Sequence, residues 1–432
     1  MKGGIYIIYK SSEHYLAYLD TLGSHPGLES ILELLDRLDN PQQMLQCIHI
    51  AGTNGKGSVA AYLTSILMEA DYQVGTFTSP EINTIRETIC INTHFISPSD
   101  FDTYLQHIKL HCEQMVQNGL RHPTRFEVLT ALSFLYFKDK GCSAVVLEAG
   151  MGGRLDATNV LSDPLCCVIT AVALDHMSFL GNTLEAIAYE KSGIIKPYSP
   201  VVVYPATDSV YEVFEQICKQ NNAPLTVLDL DRLNLVSYDL SGQVFSYKDY
   251  SNIKTPLLGE HQIRNAALAI EVVEVLKQRG IMISTEALYQ GLAQAHWPGR
   301  FEKINDNPLF FIDGAHNVQG AKALARTIDA YCKNKKIIFI MGLLQDKDYA
   351  AISKLTAPLA DHIFLVKPSN PRAMDPHTLK LEVQKYCSEV TVCDCVATAV
   401  HMALKYASSE DVIIAFGSLY FIGQVPTALK SL

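Results

Sequence analysis

The chain has 432 residues, 48% of them apolar, with 45 acidic against 35 basic side chains and a net charge of −10. That length suits two or three domains with sizeable cores, and the acidic balance disfavours a nucleic-acid backbone or an anionic membrane surface as partner. No apolar run nears the roughly 18 residues that a bilayer-spanning helix needs.

Met1 to Lys10 carries Tyr and Gly where a signal peptide would have a long apolar core. The eleven cysteines are odd in number and include no CxxC pair. Cys166-Cys167 lies in an apolar strand-like run, and Cys393-x-Cys395 is too isolated for a zinc site. Free thiols in a reducing cytoplasm are the plain reading.

Strand-like runs are expected at 46–51, 73–78, 143–148, 166–172 and 200–204. They alternate with helical patterns at 57–70, 101–118, 126–140, 183–193 and 208–221, which argues a parallel sheet covered by helices. Residues 225–257 break the rhythm with short alternating segments and read as a small antiparallel patch; helices at 261–279 and 284–295 follow. His296-Trp-Pro-Gly-Arg300 holds the only tryptophan and a Pro-Gly break. A second α/β series begins there, with strands expected at 309–312, 336–341, 362–366, 390–393 and 411–416. The expected fold is therefore α/β: a P-loop NTPase-like parallel-sheet domain over 1–296, then a smaller Rossmann-like domain over 297–432. No internal repeat or low-complexity segment is visible.

The strand at 46–51 runs into Gly52-Thr-Asn-Gly-Lys-Gly-Ser58, followed by a helix. Glycines between strand and helix let backbone N–H groups wrap a phosphate, aided by the positive end of the helix. Lys56 adds a cation near the outer phosphates. Thr53, Asn54, Gly55, Lys56, Gly57 and Ser58 are thus the candidate contacts for ATP. The loop is not a strict Walker A sequence: Ile50 stands where that pattern wants glycine, and Gly57 where it wants Ser or Thr. A plain Gly/Asn turn is the alternative.

Further on, Ala144-Val-Val-Leu-Glu148 ends a strand in a carboxylate, a hard oxygen donor for Mg²⁺ or else a cap for the next loop. The glycine-rich, polar stretch 149–159 after it, with Arg154 and Asp156, suits gripping a ligand better than filling a core. His176 closes the next strand and, alone, reads equally as a surface or core histidine. Ser79, Glu148 and His176 all fall at strand C-termini, where parallel sheets bind ligands. Lys191 alone reads as a solvated helix charge. Gly259 to Asn265 reads alone as a helix-capping cluster, Arg300 as a surface charge, Asp313 as a strand-end cap and Ser418 as part of an ordinary Gly-Ser turn.

Taken together, Gly-Thr-Asn-Gly-Lys-Gly-Ser, Glu-x-Gly-x-Gly-Gly-Arg-Leu-Asp-Ala-Thr-Asn over 148–159, Glu190-Lys-Ser-Gly-Ile194, Trp297-Pro-Gly-Arg300 and Asp313-Gly-Ala-His-Asn317 resemble one family in its own order. That family is the folylpolyglutamate synthase/dihydrofolate synthase group of the Mur-ligase superfamily, and the similarity runs from about residue 20 to the C-terminus. The resemblance implies an ATP-dependent ligase that joins L-glutamate to the carboxylate of tetrahydrofolate, and of dihydropteroate, through an acyl phosphate. It assigns catalysis to Lys56, His176, Lys191, Arg300 and His316. ATP contacts would add Asn265, Arg300 and Asp313 to the loop. Two Mg²⁺ ions would be held by Ser79, Glu148, His176 and a CO₂-carbamylated Lys191. The folate-type substrate would meet Thr124, Leu155, Asp156 and Ala157, and glutamate would meet His316 and Ser418.

Two departures stand out: Glu81 replaces the family's usual histidine after Ser79-Pro80, and 24–29 lacks the Asp-Leu-Gly pattern of some bifunctional members. The second bears on dihydropteroate use rather than on glutamate ligation. The expected enzyme is a cytoplasmic monomer whose Trp297-Pro-Gly299 linker serves as a hinge. Three alternatives stand beside it. One is a dedicated folylpolyglutamate synthase without the dihydropteroate activity. Another is a UDP-muramyl-peptide ligase, disfavoured because only 51 residues precede Gly52. The third, from a different class, is a P-loop ATPase switch.

Overall fold

Short apolar runs punctuated by glycine form the expected parallel sheets. The computed structural model describes residues 11–431. Among them the chain divides into two compact units. The first holds the described residues up to Ser79, Ile85–Asp229 and Leu268–Gly291; the second holds Pro80–Thr84, Leu230–Ala267 and the described residues from Leu292 onward.

The strands of the first unit are β1 (Cys47–Ala51), β2 (Val74–Phe77), β3 (Ile89–Ile91), β4 (His94–Phe95), β5 (Ala144–Glu148), β6 (Cys166–Ile169), β7 (Val201–Val203) and β8 (Leu225–Val227). They form one sheet in the order β4-β3-β2-β5-β1-β6-β7-β8. From β2 to β8 all pairings are parallel, while β3 and β4 add an antiparallel edge. β1 lies between β5 and β6, so chain order reverses direction on either side of it, and the crevice at the strand C-termini opens there. One face carries Cys47, Val145 and Leu147 beneath the helices Glu29–Arg37, Pro98–Gln117 and Arg125–Asp139. Further along that face, Ala51, Cys167, Val201 and Val203 pack with the helices Leu184–Ser192 and Asp208–Gln220. Ile48, Ile50 and Val146 point the opposite way and are fully buried as well. Burial on both faces explains why these strands read as continuous apolar runs rather than alternating ones.

One expectation needs correction. Residues 225–227 do not open the antiparallel patch; β8 pairs in parallel with β7 and extends the main sheet. Three residues are too few for a period to tell the two apart. The antiparallel sheet belongs to the second unit, with β9 (Leu233–Asp239), β10 (Gly242–Tyr247) and β11 (Tyr250–Thr255) in the order β11-β10-β9.

The larger sheet of the second unit comprises β12 (Glu302–Asp306), β13 (Leu309–Asp313), β14 (Ile337–Met341), β15 (His362–Leu365), β16 (Val390–Val392) and β17 (Val412–Phe416). Its order is β12-β13-β17-β14-β15-β16, parallel except for the β12–β13 edge pair. Asp313, Phe416 and Met341 stand level at the strand C-termini. Helices cover both faces through two separate apolar clusters.

Candidate functional site

The phosphate loop of the first unit is built where β1 ends. Gly52 has φ +154°, and a Cβ there would sit 1.7 Å from Thr170 Oγ1, so only glycine fits. The Thr53 amide donates to the Ala171 carbonyl at 2.8 Å, and Thr53 Oγ1 accepts from the Ala173 amide at 3.1 Å. These bonds tie the loop to the segment leaving β6. Gly55, at φ +94°, turns the chain into the helix Lys56–Glu69 and has no side chain with which to cap it. The first-turn amides of that helix are therefore a ready anion cradle.

Around the loop the structure gathers Lys56, Glu148, Ser79 and Lys191. Lys56 Nζ lies 3.6 Å from the buried Glu148 carboxylate, which also accepts from the Ser79 amide at 3.4 Å. Lys191, which taken alone in its helix reads as a solvated charge, is only 2% exposed and donates to the Gly52 carbonyl at 2.8 Å. Burial, then the nearby charge of Lys56, pulls its pKa down to about 7. His176 stands exposed at the start of the short helix Met177–Leu180, with a left-handed φ of +49°, and its amide donates to Asp175. Asp175 in turn favours the protonated form of Lys191.

No group of three or more His, Cys, Asp and Glu side chains forms a metal cage among the described residues. A single buried carboxylate beside a serine and a phosphate cradle nevertheless fits Mg²⁺, which is commonly held by one or two carboxylates together with substrate phosphates and water.

The loop 149–159 is ordered from within. Asp156 accepts from the Met151 amide at 2.8 Å and from both the amide and hydroxyl of Thr158, at 3.0 and 2.6 Å. Burial raises its pKa, against these bonds and the charge of Lys56. Ala157 is buried and Leu155 exposed, so of the three expected substrate contacts within this loop Leu155 presents the most open side chain. Arg154 pairs with Glu190 at 2.8 Å, and the Asn159 amide group donates to the carbonyls of Arg154 and Gly193. A Cβ on Gly193 would lie 2.3 Å from Arg154 Cα, so loop and helix touch through glycine. Thr124 is buried as the N-cap of the helix Arg125–Asp139, in a capping box with Glu127.

In the second unit, Asp313 ends β13 and accepts from the amides of Phe301 and Ala315, each at 2.8 Å. Burial raises its pKa while Arg300 opposes that shift. The Arg300 guanidinium donates to the Gly299 carbonyl at 3.0 Å, and a Cβ on Gly314 would lie 2.3 Å from Arg300 Nη1. The Gly314 carbonyl is 2.8 Å from His316 Nδ1, and since a carbonyl only accepts, Nδ1 carries a proton and donates to it. Ser418 caps a short helix just past β17, accepting from the Tyr420 amide at 3.3 Å. Asn265 is buried within the helix Glu260–Gln278 and donates to Gln262 at 3.1 Å. Arg300, Asp313 and His316 thus form one cluster at the sheet's C-terminal edge.

Sequence reasoning passed over His49, Asn159 and Asp175. For His49 a signal existed: it is the sole polar side chain in a strand whose five residues are all buried.

The chain matches the Mur ligase middle domain over residues 50–273 and the Mur ligase glutamate ligase domain over 299–419. It is 38% identical over 419 residues to a dihydrofolate synthase/folylpolyglutamate synthase of Bacillus subtilis, covering 94% of this chain and 96% of the relative. It is 37% identical to a folylpolyglutamate synthase of Lacticaseibacillus casei, covering 84% and 85%. Among solved structures, Mycobacterium tuberculosis folylpolyglutamate synthase complexed with ADP and AMPPCP superposes with a TM-score of 0.87 at 31% identity, over 96% of this chain and 97% of that one. Escherichia coli FolC in complex with DHPP and ADP gives 0.86 at 28% identity, over 97% of each chain. The chain belongs to the Mur ligase family, within its dihydrofolate synthase/folylpolyglutamate synthase group.

Proposed function

We propose that the chain is an ATP-dependent ligase that joins L-glutamate to the carboxylate of tetrahydrofolate, and also of dihydropteroate, through an acyl phosphate. The observation that carries this reading is the convergence of Lys56, Glu148 and Lys191 on the phosphate loop. Relatives named for both activities, and solved relatives holding ADP, support it.

Amide formation from a carboxylate in water is uphill, so the carboxylate must be activated first. Its oxygen attacks the γ-phosphorus of ATP, ADP leaves, and the α-amine of glutamate then displaces phosphate from the acyl carbon and loses a proton. In this reading the loop amides and Lys56 offset charge on the phosphoryl group in flight. Glu148, Ser79 and His176 would hold Mg²⁺, which when bound supplies Lewis-acid charge neutralisation. Arg300 and Asp313 are assigned to the nucleotide, with Asn265, and His316 and Ser418 to glutamate. Leu155, Asp156, Ala157 and Thr124 are assigned to the folate-type acceptor.

Lys191 is assigned a carbamate: its unprotonated amine attacks CO₂, an N–C bond forms and one proton leaves. A buried amine held at a pKa of about 7 is suited to that step. The Trp297-Pro-Gly299 segment is proposed to divide an ATP-binding domain, 1–296, from a glutamate-ligase domain, 297–432; the limits of the two family matches support this, whereas the compact units place Leu230–Ala267 with the second. Eleven free thiols support a reducing cytoplasm as its setting.

The deciding experiment supplies ATP, Mg²⁺ and glutamate with either tetrahydrofolate or dihydropteroate and weighs the products. A mass gain of one or more glutamates with each acceptor is expected; ADP release at full rate without acceptor would sink the ligase reading. Product from tetrahydrofolate alone would limit the chain to polyglutamylation.

A further inference from the structure

Within β1, Cys47 packs in one apolar cluster and Ala51 in the next, with His49 between them on the same face. His49 is fully buried, and its Nε2 lies 2.8 Å from Thr158 Oγ1. The Thr158 hydroxyl has a single hydrogen, which it donates to Asp156 at 2.6 Å. It can therefore only accept from histidine, so His49 carries its proton on Nε2. Nδ1 is left buried with no hydrogen-bond partner among the described residues. An imidazole placed so, in a strand otherwise filled by apolar side chains, is costly for the fold alone, because a buried acceptor goes unmatched. Burial, then the charge of Lys196, pulls its pKa down to about 3, so the ring is a neutral donor across the working range.

The chain of bonds runs from the strand that bears the phosphate loop to the loop that bears the acceptor contacts: His49 to Thr158, Thr158 to Asp156, and Asp156 back to the Met151 amide. On its far side the same loop is bolted to the Lys191 helix through Arg154–Glu190 and Asn159–Gly193. Backbone bonds from Ala149 to Ile50 and from Leu165 to Cys47 hold the flanks of the loop to β1, and the His49–Thr158 bond is a side-chain link from that strand to the middle of the loop.

We propose that His49 is a positioning residue for the acceptor: acting through Thr158 and Asp156, it holds the 151–159 loop in register with the phosphate loop. This rests on the assignment of Leu155, Asp156 and Ala157 to the folate-type substrate. The group acts through hydrogen-bond direction, so a glutamine, whose amide N–H replaces the Nε2–H, should serve where a leucine of similar bulk should not.

The test measures KM for tetrahydrofolate and for ATP, kcat, and the Kd for ADP in wild type, His49→Leu, His49→Gln and Thr158→Val. His49→Leu and Thr158→Val should each raise the acceptor KM roughly tenfold, and the double variant should be no worse than either single. KM for ATP and the Kd for ADP should stay within about twofold, and His49→Gln should recover most of the loss. An unchanged acceptor KM in both single variants would overturn the proposal, as would equal losses for ATP and acceptor or a failure of Gln to outperform Leu. If His49→Leu does not fold, Thr158→Val removes the same bond from its other end and decides alone. A wild-type enzyme that ignores folate acceptors would instead refute the functional reading, and this proposal with it.

Discussion

Lys56 is the residue with the most direct electrostatic task. Its ammonium already faces the Glu148 carboxylate at 3.6 Å, so removing it leaves a buried anion where negative phosphates must bind. Lys56→Ala should lower turnover by about 10²–10³-fold, read as ADP release in the presence of both substrates. Lys191 was legible as a motif but not as a buried amine, because helical periodicity cannot reveal a carbonyl arriving from another strand. If carbamate is its working form, Lys191→Ala should recover part of its activity in millimolar acetate, while Lys191→Arg stays inactive in the same assay. Full activity of either variant without acetate would remove the carbamate. His49 gives a pH signature independent of catalysis. Its pKa is about 3 in the folded state against an ordinary 6.5, so between these values the unfolded chain binds the proton and the folded one does not. Stability is therefore lost as pH falls below 6.5, and the loss is complete near 3. His49→Gln should flatten the decline between pH 7 and 5 by about 2 kcal/mol, measured from urea midpoints.

At the scale of elements, the helix Leu184–Ser192 and the 149–159 loop meet through glycine. Gly193 has a helical φ of −61°, so alanine would suit its backbone, yet its Cβ would lie 2.3 Å from Arg154 Cα. Gly193→Ala should cost about 1–3 kcal/mol by overpacking. It should also depress activity more than a comparable loss of stability elsewhere, since it displaces Lys191; thermal melts beside kinetics would check this. The strands of both parallel sheets were readable, because residues such as Ile48, Ile50, Val145 and Val146 form unbroken apolar runs ended by glycine or a carboxylate. The edge strands β3 and β4 and the terminal β8 were not, being two or three residues long, nor was the edge strand β12, whose residues Glu302–Asp306 include a single apolar side chain. Nor was the inward turn of Asp156 readable: a polar loop residue looks the same in sequence whether it meets a ligand or its own backbone amides.

Across the whole molecule, thiol accessibility gives a test of packing that touches no functional residue. Of the free cysteines, Cys395 is exposed, Cys90 and Cys142 are partly covered, and the other eight are buried. Hydrogen bonds from Thr398 lower the Cys395 pKa, whereas burial raises those of Cys90 and Cys142 to about 12 and 11. An aromatic disulfide reagent should therefore titrate one thiol quickly in the native protein and all eleven after unfolding. Two or more fast thiols would contradict the packing described.

The central place of β1 also bears on how the molecule comes into being on the ribosome. The phosphate loop is synthesised early, but its strand pairs Cys47 with Val145 and Ile48 with Cys166, partners that emerge roughly a hundred residues later. The first unit then waits for Leu268–Gly291, whose last residue packs so closely that a Cβ on Gly291 would lie 2.4 Å from Ile66 Cα. Affinity for ATP is thus a late property of the nascent chain, and translational arrest before residue 268 should yield a product that an immobilised nucleotide does not retain.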